Sequence, residues 1–256
     1  MESTSAADQQ LRAVGLAAAW AIVGLFGSQV FGVLLYSAVV PLFGTLAPTL
    51  DYAVLMICSG IGLVIVAGVY LRIHDLDLGY VDVAFPSLRD LGYTVFGVVV
   101  LLAGIVAISL LFFELGIQGA QHSIVEQASE NNNPELLLAL VPLSLVVVGP
   151  TEELFFRNIV QKSLYDHFDR RHAVVVASVL FALIHFPAYY TSTLQAAASS
   201  VAVILVLSLV LGEWYRRTDN LVVPILVHGI FNAIQFSLAY VQVRYELAEA
   251  TLTALV

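Results

Sequence analysis

A chain of 256 residues that is 60% hydrophobic and only 11% charged, with a mean hydropathy of +0.92, is an integral membrane protein, since soluble domains carry about 25% charged residues. Its net charge of −9, with Lys162 the only lysine, excludes nucleic acid as a partner, because phosphate neutralisation needs a basic surface. Its single cysteine, Cys58, excludes an intramolecular disulfide or a thiolate metal cluster.

Apolar runs of about 20 residues predict seven spans. The first covers 13–40 and stops at Pro41; Gly15, Gly24, Gly27 and Gly32 allow close helix contacts within it. The second covers 53–71 and ends at Arg72. A polar loop, 73–90, leads to the third, 91–113. An acidic loop, 114–135, has room for a short interfacial helix. The fourth span starts near Leu136 and runs to about Tyr165, or ~45 Å at 1.5 Å per residue, too long for a straight perpendicular crossing. Pro150 cannot donate a backbone hydrogen bond, so a kink or break is expected at Gly149-Pro150, with Thr151 capping a restarted helix. The fifth, sixth and seventh spans cover 173–186, 194–213 and 221–241. The tail, 242–256, lies on the surface or forms part of an eighth helix. The expected architecture is therefore all-α: a polytopic transmembrane bundle of seven to eight spans. It forms one domain, with three spans in 1–135, a four-span core in 136–241 and the tail.

The basic residues set the orientation. With the N-terminus in the cytoplasm, Arg12, Arg72, Arg89, Arg170, Arg171, Arg216 and Arg217 fall at cytoplasmic ends or loops, and only Arg244 breaks the pattern. A multi-pass plasma-membrane protein is expected. Trp20, Trp214, Tyr215 and Tyr240 near span ends fit interfacial anchors.

Against this apolar background stands Thr151-Glu152-Glu153-Leu154-Phe155-Phe156-Arg157. A charge at the centre of a spanning helix costs about 2.5–3.5 kcal/mol on insertion scales and marks a functional site by default. Glu153 and Arg157 are four apart, so they share a helix face and can pair. Glu152 is turned about 100° away and is left as the free carboxylate. Phe181 and His185 share a face of the fifth span, and His228 and Asn232 share a face of the seventh. Counted from the cytoplasmic ends, Glu152 and His185 lie at a depth of about 20 Å and His228 at about 10 Å, compatible with one cavity. If they converge, Glu152 with His185 can hold and deprotonate a water. His228 and Asn232 can then donate to the oxyanion formed when that water attacks a peptide carbonyl. No serine or cysteine nucleophile is needed; Ser144, Ser178 and Ser208 have no motif around them. The other histidines, His74, His122, His167 and His172, read as ordinary solvated loop residues.

The three patterns, Glu152-Glu153-x-x-x-Arg157, Phe181-x-x-x-His185 and His228-x-x-x-Asn232, resemble the motifs of the CPBP family. This family is also called Abi or CAAX-protease-like and is related to the type II CAAX prenyl endopeptidases. The likeness covers about 136–240. It implies an intramembrane endopeptidase with a cavity open to the cytosol. It implies Glu152 and His185 as the water-activating pair, His228 with Asn232 as the oxyanion site, and Glu153 and Arg157 as their support. Its partners would be membrane lipid and a membrane-associated protein or peptide, prenylated in the CAAX case; the oligomeric state is open. A zinc or other divalent ion held by Glu152, His185 and His228 is the alternative to metal-free water activation. Using those groups as ligands would remove the base and one oxyanion donor, so the metal-free route is favoured and no cofactor is required. A non-proteolytic immunity or scaffold protein and an ion-coupled transporter are the rival functions.

Overall fold

The computed structural model describes residues 5–191 and 193–245. Those residues form helices and connecting turns, with no strand among them. Helix α1 (Ala6–Val39) opens on a capping box in which Ser5 and Asp8 satisfy each other's backbone N–H groups. It pairs with α2 (Pro48–Ile73) through small residues. A methyl group on Gly32 would lie 2.8 Å from Ser59 Cα, and one on Gly62 would lie 2.6 Å from the Ser28 carbonyl. In lipid, where apolar contact between helices gains little over contact with acyl chains, such close backbone approach holds helices together. Of the four glycines expected to do this on α1, Gly15 instead faces open space.

Helix α3 (Leu88–Leu115) begins at a second capping box, Ser87 with Asp90, and ends at Gly116, whose φ of 65° suits a residue without Cβ. The acidic loop that follows does hold a short helix, α4 (Ser123–Glu130). It buries Ile124, Val125 and Ala128 against Leu136, Leu137, Leu140 and Ala239, so it is packed into the bundle.

Helix α5 (Glu135–Gln161) carries the acidic pair. Of the kink or break expected at Gly149-Pro150, the break does not occur. The helix widens instead into two π-helical stretches, Ser144–Val148 and Leu154–Gln161, on either side of Gly149–Glu153. A π turn gives the proline ring room against the preceding turn without ending the helix, and such turns gather at functional sites. Thr151 therefore caps nothing; its hydroxyl donates to the Val147 carbonyl at 2.9 Å.

Helix α6 (Arg170–Ile184) is capped by Asp169 and followed by the short α7 (Phe186–Tyr189). Then come α8 (Leu194–Thr218) and α9 (Val222–Tyr245). Among the described residues, six helices are long and apolar enough to cross a membrane: α1, α2, α3, α5, α8 and α9. The remaining expected span, the fifth, is α6. It has 15 residues, about 22 Å at 1.5 Å per residue, short of a ~30 Å hydrocarbon core. The described residues thus supply six full-length helices and one short one, which leaves the expected count of seven to eight spans unconfirmed. The tail takes part in α9 as far as Tyr245; an eighth helix would fall on residues outside those described.

The polar loop between α2 and α3 lies across the arginine-bearing end of α5. Lys162 Nζ donates to Asp82 at 2.8 Å, and Asn158 Nδ2 donates to the Tyr215 hydroxyl at 2.9 Å. Tyr215 also donates to Asp82. Tyr215 is fully buried, so it is a tie between α8 and this loop and not the interfacial anchor its position suggested.

Candidate functional site

The aromatic core of the bundle supports the site. Phe155, Phe156 and Phe181 are buried together, with Phe156 edge-on to Phe181 at 5.0 Å. The Phe181 ring is a hub: it lies 4.3 Å from the His185 ring, 6.2 Å from the His228 ring and 5.1 Å beneath the Arg157 guanidinium. The sequence pattern placed Phe181 beside His185 only. The fold adds the cation–π contact with arginine and the second imidazole.

Glu153 and Arg157 form the expected pair, Oε2 to Nε at 2.8 Å, with both side chains 0% exposed. Arg157 also donates to Ser208 Oγ at 3.0 Å. Ser208, which carried no recognisable motif, is therefore part of the support. Glu153 has a second partner: His228 Nδ1 lies 2.8 Å from Glu153 Oε1. A carboxylate held by Arg157 acts as an acceptor, so Nδ1 bears the hydrogen and the neutral ring presents a lone pair at Nε2. His228 can donate from Nε2 only as an imidazolium, a condition the sequence did not reveal.

Gly149 and Gly229 let α9 reach this position. A methyl group on Gly229 would stand 2.9 Å from the Ser144 carbonyl, and one on Gly149 would stand 2.9 Å from the Ile225 carbonyl. The crossing of α9 over the first π stretch is thus backbone against backbone, one residue from His228.

Glu152 is in a different setting. Its side chain is 26% exposed, and its Oε2 has no hydrogen-bond partner among the described residues. It faces His185 Nε2 at 3.7 Å. His185 sits at the end of α6, where its Nδ1–H donates to the Phe181 carbonyl at 2.7 Å. Neutral His185 therefore turns a lone pair at Nε2 toward a carboxylate. The separation is beyond hydrogen-bond length, so Glu152 Oε2, itself buried, is left without a direct hydrogen bond. Asn232 lies one turn beyond His228 on α9, half-buried, with no side-chain hydrogen bond among the described residues. The structure thus brings Glu152 to His185 and Glu153 to His228; Asn232 shares a helix face with His228 without a given contact to the acids.

The three suggested metal ligands do not gather as a set. Among the described residues no group of three His, Cys, Asp or Glu side chains is arranged to hold a metal ion. His185 pairs with Glu152, while the donor surface of His228 is committed on one side to Glu153.

The solvated reading of His122 is overturned. His74, His167 and His172 are exposed, but His122 is half-buried. Its ring packs edge-on against Tyr189 at 5.0 Å. Together with His185 and His228 it lies within electrostatic reach of Glu152. Burial pushes the His122 imidazole down to about 4, helped by His185 and opposed by Glu152. The sequence placed His122 in an acidic polar loop; only the packing of α4 into the bundle brings it to the site. Two apolar grooves, of about 300 and 250 Å³, flank α5; the first lies against α9 and the second, lined in part by Thr151, lies against α2.

Comparison with known proteins agrees with the motif likeness. Residues 134–234 match the family described as "Type II CAAX prenyl endopeptidase Rce1-like". A Bacillus subtilis (strain 168) protein named "Putative membrane peptidase YdiL" is 30% identical over 137 residues, covering 49% of this chain and 52% of that protein. The chain thus spans about half the length of the curated relative it matches. No solved structure matches it significantly.

Proposed function

We infer, from a chain whose residues 134–234 match the family described as type II CAAX prenyl endopeptidase Rce1-like, that this multi-pass membrane protein is an intramembrane endopeptidase. One observation carries the reading: Glu152, the acid of the two that Arg157 does not hold, faces His185 Nε2 at 3.7 Å in a bundle of largely apolar helices. A water donating one hydrogen to each acceptor keeps a lone pair free for attack. Glu152 takes the proton as that oxygen bonds to a peptide carbonyl carbon, and His185 holds the water in line. His228 as an imidazolium, stabilised by Glu153 at Nδ1, donates its Nε2–H to the resulting oxyanion, and the Asn232 amide donates beside it. When the C–N bond breaks, the proton held by Glu152 passes to the amine that leaves. Phe181, Arg157 and Ser208 fix the two imidazoles and Glu153 in place.

The substrate is a membrane-associated or lipidated peptide, which reaches intramembrane groups without leaving the bilayer. The protein resides in the plasma membrane with its N-terminus cytoplasmic. No cofactor is needed on this route; a zinc ion at Glu152 and His185 is the competing version.

The test uses the purified protein in detergent with a fluorescence-quenched peptide library. Cleavage is expected to fall about 10²- to 10⁴-fold in Glu152→Gln and His185→Ala, the range for loss of a positioned acid or base. Cleavage that persists in Glu152→Gln, or proton-coupled uptake into liposomes without cleavage, overturns the peptidase reading. Dialysis against a chelator separates the two water-activation routes. Activity lost with chelator and restored by zinc would replace the metal-free version.

A further inference from the structure

His122 puts a third imidazole within electrostatic reach of Glu152, and it comes from the segment ahead of α4, not from a spanning helix. Its Nδ1 accepts the Ile124 N–H at 3.1 Å. Nδ1 therefore carries the lone pair, and the ring hydrogen sits on Nε2. That Nε2–H has no hydrogen-bond partner among the described residues.

The ring is held from several sides. Ala120 N–H donates to Ser200 Oγ at 2.9 Å, and Ser200 donates back to the Ala120 carbonyl at 3.0 Å, which fastens the segment to α8. On the other side, α4 is anchored by Ile124, Val125 and Ala128. Tyr189, against which the ring rests, stands one turn beyond His185. The residue that caps α4 thus carries a side chain wedged against α7, on the tyrosine one turn beyond His185.

Capping alone does not account for a histidine here. Ser, Thr, Asp and Asn are the preferred N-caps, and each would accept the Ile124 N–H with a smaller side chain. What histidine adds is a ring that reaches past the cap and ends in a donor. The depressed basicity of this imidazole keeps that donor neutral at physiological pH, so it can hydrogen-bond a carbonyl without adding charge beside Glu152.

We propose that His122 is a substrate-binding residue whose Nε2–H donates to a backbone carbonyl of the peptide lying across the Glu152–His185 pair. This rests on the peptidase reading above. It also assigns the segment before α4, outside the 134–234 family core, a part in holding the peptide.

The test compares His122→Asn with His122→Gln. Asn keeps the capping acceptor but lacks the reach of Nε2, while the Gln amide reaches the Nε2 position and restores a donor. With a peptide cleaved by the wild type, His122→Asn is expected to raise KM about tenfold with little change in kcat, the pattern for binding shared by ground and transition states. His122→Gln is expected to recover much of that loss. In a Glu152→Gln background, the same peptide carrying a fluorophore should show a matching tenfold rise in Kd by polarisation when His122→Asn is added. Unchanged KM and Kd, or losses that track a fall in melting temperature and are not rescued by Gln, overturn the assignment and leave the peptidase reading standing. Absence of any cleavage by the wild type removes both.

Discussion

Glu152 and Glu153 are neighbours in the chain and opposites in the fold. Glu153 is fully buried and held by Arg157 at 2.8 Å and His228 at 2.8 Å. Glu152 is partly exposed, with one oxygen unpartnered and an imidazole at 3.7 Å. One carboxylate has spent its acceptor capacity on structure; the other keeps it. A helix turns about 100° per residue, so adjacent positions are a direct way to set one acid against Arg157 and the other against His185. The lesson is that the three ionisable groups of the 152–157 motif are not equivalent: two are tied to one another, and one carboxylate is left outside that tie.

The comparison breaks most sharply at Arg157. Replacing it with Met removes one partner of a fully desolvated pair and leaves Glu153 with His228 alone. Loss of one member of a buried pair costs about 3–5 kcal/mol, so Arg157→Met is expected to lower the thermal unfolding midpoint in detergent steeply. Glu152→Gln should leave that midpoint nearly unchanged while removing cleavage. Equal stability losses in the two variants would mean that the neighbours do not divide their labour as described.

A smaller effect is expected at Gly229. Alanine there brings a methyl group to 2.9 Å from the Ser144 carbonyl and 3.2 Å from Leu145 Cα. Both are backbone atoms of a helix, which yield little. Overpacking of this kind costs about 1–3 kcal/mol, and the shift would move His228 off Glu153. Gly229→Ala should therefore lose both stability and peptide cleavage, whereas Gly15→Ala, which meets open space, should lose neither. A stable and fully active Gly229→Ala would detach the helix crossing from the site.

Much of this arrangement was readable in the chain beforehand, for physical reasons. The i,i+4 spacing of Glu153 and Arg157 and of Phe181 and His185 is fixed by helix geometry, so their shared faces followed from position alone. The apolar runs gave the long helices because lipid admits few other spanning forms. What failed to show was tertiary. Nothing around Ser208 marks it as the second acceptor for Arg157, since the two are far apart in sequence and meet only when α8 packs on α5. His122 looked solvated because its neighbours are polar; Ile124, Val125 and Ala128, spaced along one face of α4, held the only hint that this loop turns inward. Pro150 marked where the helix is irregular, but not the form, which is π-helical widening in place of a break.

The His122 environment gives the comparison a pH axis. The titratable groups around the ring are His185, Glu152 and Tyr189. Its pKa falls from 6.5 in the free side chain to about 4 in the fold. Above 6.5 the ring is neutral in both folded and unfolded chains, and its contribution to stability is complete. Between 6.5 and about 4 the unfolded chain takes up a proton that the folded one refuses, so stability drops as pH falls. After a discount for partial exposure, the drop is of order 1–2 kcal/mol. Unfolding midpoints measured from pH 7 to pH 4 should show a shallower decline in His122→Asn than in the wild type. Parallel declines would place the imidazole in solvent and return it to the class of His74 and His167.

The mildest effect is expected at the third carboxylate that touches α5. Asp82 pairs with Lys162, but their side chains are 24% and 23% exposed, so the pair stands between the sealed Glu153 and the open Glu152. Water screens such a pair, and its contribution is about 0.5–1 kcal/mol. Asp82→Asn keeps an acceptor for the Tyr215 hydroxyl and leaves Lys162 its bond to the Tyr80 carbonyl at 2.7 Å. A loss of that size, shrinking as salt is added, and an unchanged cleavage rate would mark the loop as a surface tie. A loss approaching that of Arg157→Met would instead show that Asp82, Asn158 and Tyr215 form a desolvated unit with Lys162, and the contrast between a sealed acid and a solvated one would have to be drawn along the whole of α5.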